Sequence, residues 1–162
     1  MDQYTFCKDK LDEIGISYRI IEHPPAMTTE EADAYIEGEE GVKTKTLFLC
    51  NKRSKNYYLV VTDGAKAIDM KQLEEMIPTK GLHFCTEEKL MNKLGLPAGT
   101  VSIFGLLNNV DHDVEVILDG GILEEKYITF HPNVNTATMF ITMDDMYRFF
   151  EATGYEYRIL EL

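Results

Sequence analysis

No stretch of this sequence approaches the ~18 consecutive apolar residues of a membrane-spanning helix, and its opening lacks the charged-then-apolar pattern of a secretory signal. A cytoplasmic chain with no membrane partner is therefore expected. Cysteine is scarce: Cys7, Cys50 and Cys85 are odd in number, widely spaced and form no CxxC pair, which removes a disulfide framework and a zinc clip. Each has apolar neighbours and is expected as a reduced thiol packed in the core. His23, His83, His112 and His131 show neither HxH nor HExxH spacing, so no metal and no cofactor is expected. The GxSxG elbow, the Walker loop and GxGxxG are missing as well, which leaves serine-hydrolase, P-loop and dinucleotide readings without support. Basic residues are also few, 16 against 28 acidic, for a net charge of −12. A protein that coats DNA or RNA is excluded on that ground, because Lys and Arg neutralising phosphates supply most of such affinity. Any RNA contact must be local.

What is present fits one domain spanning residues 1–162, long enough to bury about two-thirds of its unfolded surface in a single core. Residues 3–14 set Phe6, Leu11 and Ile14 on one helical face, and Gly15 ends that helix before a β-favouring run over 17–22. His23-Pro24-Pro25 makes a stiff link. Thr28 with Glu31 has capping-box spacing for a helix over 30–36. Runs 44–50 and 57–62 read as a hairpin, and Asp69 and Thr86 as caps of two helices, the second closed by Gly95 and Pro97. Further strands are expected at 101–104, 114–118, 126–130 and 137–142. Thr142 then caps a helix that carries Met146, Phe149 and Phe150 inward and stops at Gly154, and 155–160 is a last extended segment. This order predicts an α+β fold: a mixed or antiparallel central sheet flanked by helices.

Three segments are candidates for chemistry. Residues 41–62 contain no acid and hold Lys43, Lys45, Lys52, Arg53 and Lys55, either a lysine-protected hairpin edge or a local phosphate site. The run 95–102 places Gly95 and Gly99 where backbone can approach a ligand closely and its amides can bind an oxygen. The run 130–136 sets His131 beside Asn133, Asn135 and Thr136, which a structural turn would also explain. Nothing local activates a cysteine as a nucleophile. Composition and spacing end at an acidic α+β domain with a basic hairpin and two polar loops.

Separated motifs carry the reading further. His23-Pro24-Pro25 is followed by Thr28, Glu30, Glu31 and Ala32, then by Lys45-Thr46-Leu47-Phe48-Leu49, then by the run from Leu94 to Ser102. Phe104-Gly105-Leu106-Leu107-Asn108, Leu118-Asp119, Phe130-His131-Pro132 with Asn135, Thr136 and Thr138, and Thr153-Gly154-Tyr155-Glu156 with Arg158 come after. In this order, nearly end to end, the chain resembles the YbaK/ProX family of aminoacyl-tRNA editing domains, and within it the free-standing deacylases of alanyl-tRNA(Pro).

That resemblance implies a trans-editing hydrolase for mischarged tRNA, with alanyl-tRNA(Pro) as substrate and prolyl-tRNA synthetase as a further partner. It implies catalytic roles for Lys45, thought in the family to hold the tRNA 3′ end, for Gly99 in the glycine loop and for His131. Thr46, Ser102 and Asn108 lie in matching segments and are candidates for substrate binding. Three positions depart from the family pattern: Thr46 stands where relatives have Asn, Ile103 ends the glycine loop in place of Pro, and Asn109 follows Asn108 in place of Asp. An aminoacyl ester is already labile, so positioning the 3′ end and stabilising the oxyanion suffice without a strong side-chain base. The resemblance leaves two alternatives, a cysteinyl-tRNA(Pro) deacylase and a non-catalytic module that senses tRNA or an amino acid.

Overall fold

The computed structural model describes residues 2–162. Helix α1 (Gln3–Ile14) starts where the Asp2 carboxylate accepts from the Thr5 amide at 2.8 Å and stops at Gly15, left-handed at φ 88°. Its fully buried residues are Cys7 and Leu11, one turn apart, while Phe6 and Ile14 are only half-buried. The expected inward face is therefore rotated toward Cys7, and α1 packs against the last helix of the chain.

Strand β1 (Arg19–Glu22) leads through His23-Pro24-Pro25 to helix α2 (Thr29–Tyr35). Thr28 caps it by accepting from the Glu31 amide at 3.1 Å, and the Glu31 carboxylate reaches back to the Met27 amide at 2.8 Å. Strands β2 (Thr44–Cys50) and β3 (Tyr57–Asp63) form the expected hairpin. Helix α3 (Met70–Met76), the two-residue strand β4 (His83–Phe84) and helix α4 (Glu87–Leu94) follow, the helices capped by Asp69 and Thr86 as their sequence indicates. Then come β5 (Val114–Asp119), β6 (Tyr127–Phe130), β7 (Ala137–Thr142), helix α5 (Met143–Thr153) and β8 (Tyr157–Leu160). Strand β4 left no readable signal, being too short for any periodicity.

The strands divide into two sheets. Five lie in the order β4-β2-β3-β5-β8, antiparallel on the β4 side and parallel from β3 onward; three lie in the antiparallel order β1-β7-β6. The parallel neighbours need long crossovers, and α3–α4 and β6–β7–α5 supply them. The sheets are stitched where Val42 bridges Ile128 and where the Thr44 amide donates to Thr129 Oγ1 at 3.3 Å. One face of the large sheet carries the main core, into which α1, α4 and α5 bring Leu11, Leu90, Leu94, Phe149 and Phe150. The other face carries a smaller core of Leu49, Tyr58, Val60 and Ile117 under α3.

The run 101–104 is not the strand expected from its apolar residues. Residues Ile103–Asn108 form a 3₁₀ turn, started by Ser102, whose hydroxyl accepts from the Phe104 amide at 3.0 Å. The turn buries Phe104 edge-on between Phe130 and Phe149, with ring centroids 5.6 and 5.3 Å away. Burying such a side chain stabilises the fold by about 1.5–3 kcal/mol, and the turn is the geometry that delivers it there. An added side chain at Gly105 would crowd the core, since a Cβ would meet Leu96 Cδ1 at 2.9 Å and Leu94 Cβ at 3.0 Å.

Candidate active site

Where the two sheets meet, a cavity of about 160 Å³ opens between α2, the start of β2, the glycine loop and the ends of β6 and β7. Its position follows from the ladder of β2. Residues 43, 45, 47 and 49 turn their peptide groups to β3, as the Gly64 amide on the Lys43 carbonyl shows. Residues 44, 46 and 48 turn theirs the other way: Thr44 to Thr129, Phe48 to the Cys85 amide at 3.2 Å. Strand β4 covers only Leu49 and Cys50, so the Thr46 peptide groups face the cavity at an edge that no strand covers.

Of the residues expected at a site, Lys45, Thr46, Gly99 and His131 line this cavity together although they come from three separate segments. The Lys45 side chain leaves β2 on the smaller-core face, alongside Leu47 and Leu49, and its ammonium donates to the Lys66 carbonyl. That carbonyl belongs to a turn anchored from below. The buried Asp119 carboxylate accepts from Lys66 Nζ at 2.8 Å, from Thr62 Oγ1 at 2.7 Å and from the Gly121 amide at 3.0 Å. Burial alone would raise the Asp119 carboxyl, but the bonds from Lys66, Thr62 and Gly121 outweigh it and hold the carboxyl below its ordinary value. Lys45 is thus held at the cavity rim by a chain running from Asp119 through Lys66.

Gly99 is left-handed at φ 88°, and a Cβ there would meet nothing within 4 Å. Its glycine is required by backbone conformation rather than crowding, and it leaves cavity space that a methyl group would take. Burial is the main cause that lowers the His131 imidazole below its ordinary range; the Ala137 main chain opposes it and nearby His23 reinforces it. The ring is therefore neutral at pH 7, and its Nδ1 is buried without a hydrogen-bond partner among the described residues.

The His-Pro-Pro link supports this wall. The His23 amide donates to the Thr136 carbonyl and the Ala26 amide to Asn135, at 2.9 and 3.0 Å. His23 Nε2 lies 3.0 Å from Thr138 Oγ1, its Nδ1 2.9 Å from the Pro24 carbonyl, and its ring stacks on Tyr35. Since only a protonated Nδ1 can bond a carbonyl, a neutral His23 accepts from the Thr138 hydroxyl. Thr138 lines the cavity.

Ser102 and Asn108 do not reach the cavity. Ser102 is fully buried and donates to Asn133 Oδ1 at 2.9 Å, tying the 3₁₀ turn to the His131 loop. Asn108 donates to Gln3 Oε1 and the Leu94 carbonyl, both at 2.9 Å, and so closes α4 onto α1. The geometry makes both of them braces. Ile103 is fully buried, so the departure there lies in the core, whereas Thr46 stands at the cavity itself. The acid-free stretch is split as well. Lys43 and Lys45 sit near the cavity, while Lys52, Arg53 and Lys55 lie beyond the far end of β2, about 20 Å along the strand.

Sequence reasoning missed the contribution of α2, whose Thr29, Ala32 and Asp33 line the cavity. Their i, i+3, i+4 spacing in a capped helix was the available signal, but a polar helical face reads as solvated. Burial pushes the Asp33 carboxyl above its ordinary value; Lys43 pulls it down and Asp63 pushes it further up. Among the described residues no group of three His, Cys, Asp or Glu is placed to hold a metal ion, and no helix is long and apolar enough to cross a membrane. Cys7 and Cys50 are buried and Cys85 is half-buried, all with free thiols.

Residues 23–149 match the family model described as the aminoacyl-tRNA editing domain. The chain is 37% identical over 154 residues to the prolyl-tRNA editing protein ProX of Acetoanaerobium sticklandii, with 94% of this chain and 93% of that one covered. It is 32% identical over 157 residues to the prolyl-tRNA synthetase associated domain-containing protein 1 of Mus musculus, covering 94% and 92%. Among solved structures, a protein put forward as a trans-editing enzyme for prolyl tRNA synthetase superposes with a TM-score of 0.75 over all of this chain and 98% of its own. At 18% identity that likeness is one of fold.

Proposed function

The chain belongs to the family of aminoacyl-tRNA editing domains, and on that premise we propose that it deacylates mischarged tRNA in trans, releasing alanine from proline tRNA. The observation that carries the reading is the convergence of Lys45, the Thr46 peptide edge, Gly99 and neutral His131 on one small cavity. Lys45 holds a phosphate or ribose oxygen of the 3′ end at the rim. Water adds to the ester carbonyl, and the amides of the Thr46 edge and the Gly99 loop stabilise the charge that develops on its oxygen. The proton released by the water passes to the departing ribose oxygen, through the neighbouring ribose hydroxyl or an ordered water. His131, uncharged and in the cavity wall, shapes the pocket and orients the substrate. Prolyl-tRNA synthetase is the source of mischarged tRNA that this reading implies.

The size of the cavity supports alanine, because a pocket rejects larger side chains by clash more strongly than it can reject smaller ones. The alternative reading is release of cysteine, because the threonine at 46, in place of the family asparagine, alters the polar edge nearest the ester and with it the hold on the substrate. The test uses purified protein and proline tRNA charged separately with alanine, cysteine, serine and proline. The alanyl form should be hydrolysed fastest and the prolyl form spared. Release of cysteine without alanine would replace the first reading with the second, and stoichiometric binding without turnover would replace both with a sensing module.

A further inference from the structure

Thr46, Leu47, Gly99 and Val101 line the candidate active site and also form one wall of a second cavity, of about 260 Å³, that opens along β4. On its other side stands Phe84, an edge-strand aromatic left 59% exposed, with Glu87 from the first turn of α4. Strand β4 then runs toward the basic end of the hairpin. His83 pairs with Cys50, a methyl on Gly81 would come within 2.8 Å of Lys52 Cβ, and the Lys52 amide donates to the Lys80 carbonyl at 2.8 Å. Lys52, Arg53, Lys55 and Lys80 are exposed here, and among the described residues none of them pairs with a carboxylate. In a chain of net charge −12 this is a local concentration of uncompensated positive charge.

The geometry points to this edge as the track for the acceptor end of tRNA, with Phe84 stacking a base of the single-stranded terminus and the Lys52–Lys55 turn and Lys80 holding phosphates farther along. The inference rests on the reading of the first cavity as the ester site. An aminoacyl ester hangs from the ribose of the last nucleotide, so that nucleotide's base lies within one nucleoside of the carbonyl. The second cavity shares a wall with the first and is where such a base fits. An exposed aromatic accepts the π-face of any base, and a neighbouring carboxylate accepts from an exocyclic base amine, which adenine carries at N6. The basic turn begins three residues beyond Leu49, the β2 partner of Phe84, about 10 Å farther along the strand, and phosphate contacts there set register without reading sequence.

The test measures binding of uncharged proline tRNA, ending in CCA or lacking its last nucleotide, alongside single-turnover release of alanine from the charged form. Phe84 and the turn are exposed, and circular dichroism verifies that each variant is folded. Phe84→Ala should weaken binding of the CCA-ended tRNA about 5- to 100-fold and erase the difference between the two tRNAs, while Phe84→Tyr retains it. Joint replacement of Lys52, Arg53 and Lys55 by Ala should reduce the slope of log K against log salt by about 2, whereas Lys8→Ala with Lys10→Ala on α1 leaves the slope in place. Wild-type discrimination by Phe84→Ala, or a wild-type slope in the triple variant, overturns the track. Binding that follows these expectations in a protein that releases no amino acid keeps the track and sinks the deacylase. Turnover that neither variant disturbs does the opposite, and a wild-type protein that neither binds tRNA nor releases alanine removes both.

Discussion

Replacing Lys45 by alanine removes a side chain that touches the cavity rim and the turn beneath it, and the two consequences differ in size. On the structural side the loss is one hydrogen bond, from the ammonium to the Lys66 carbonyl, at a half-exposed position where water takes the donor's place. A net hydrogen bond is worth about 0.5–1.5 kcal/mol, so unfolding by urea should shift by about 1 kcal/mol or less, with the m-value unchanged. On the functional side the ammonium is the cation offered to the 3′ end, and charge-assisted hydrogen bonds are worth about 1.5–3 kcal/mol. At 1.36 kcal/mol per decade, kcat/KM for alanyl-tRNA(Pro) should fall by about 10- to 150-fold. Lys45→Arg keeps the charge but carries a broad planar fork into a rim shaped for a compact ammonium, so it should recover only part of the loss. The assay is release of labelled alanine at subsaturating substrate, with urea titrations of the same preparations. A folded Lys45→Ala protein with near wild-type kcat/KM would refute the reasoning and remove the proposed hold on the tRNA end.

Four further outcomes are expected. Asp119→Asn leaves Lys66 facing a weaker acceptor and should cost about 1–3 kcal/mol; because the folded-state carboxyl lies below its unfolded value of about 3.9, its stabilisation is present above that pH and is lost as pH falls through the folded value, so the variant's urea midpoint should show a shallower acid decline. Gly99→Ala places a β-carbon at φ 88° and should cost about 1–2 kcal/mol by thermal unfolding, while its methyl takes cavity space and slows alanine release; unchanged release would show that the loop does not border the bound ester. His131, held neutral by burial, should give a flat profile of kcat/KM from pH 7 to 8 that declines only as acid protonates the ring below its ordinary range near 6.5, and loss of that acid limb in His131→Asn would tie it to this residue. Turnover should persist after dialysis against a chelator, and activity restored only by zinc would overturn the water-and-amide chemistry.

Local order was legible in the chain because its causes are local. Thr28, Asp69, Thr86 and Thr142 accept hydrogen bonds from amides two or three residues ahead, and Gly15, Gly95 and Gly154 take the left-handed φ that stops a helix, so each boundary lies within a few residues of its signal. The β2–β3 hairpin is equally self-contained. The resemblance carried by dispersed motifs also points to Lys45, Thr46, Gly99 and His131. Tertiary structure decided what depends on contacts between distant segments: the division of one expected sheet into two, the parallel placing of β5 and β8, and the folding of 103–108 into a turn that drives Phe104 between two aromatic rings. It made Ser102 and Asn108 into braces, because Asn133, Gln3 and the Leu94 carbonyl, 14 to 105 residues away, meet them first. It also brought Asp33 to the cavity and carried Lys52, Arg53 and Lys55 away from it. Side-chain identity states what a group can bond, but only the packed chain settles which partner comes within reach.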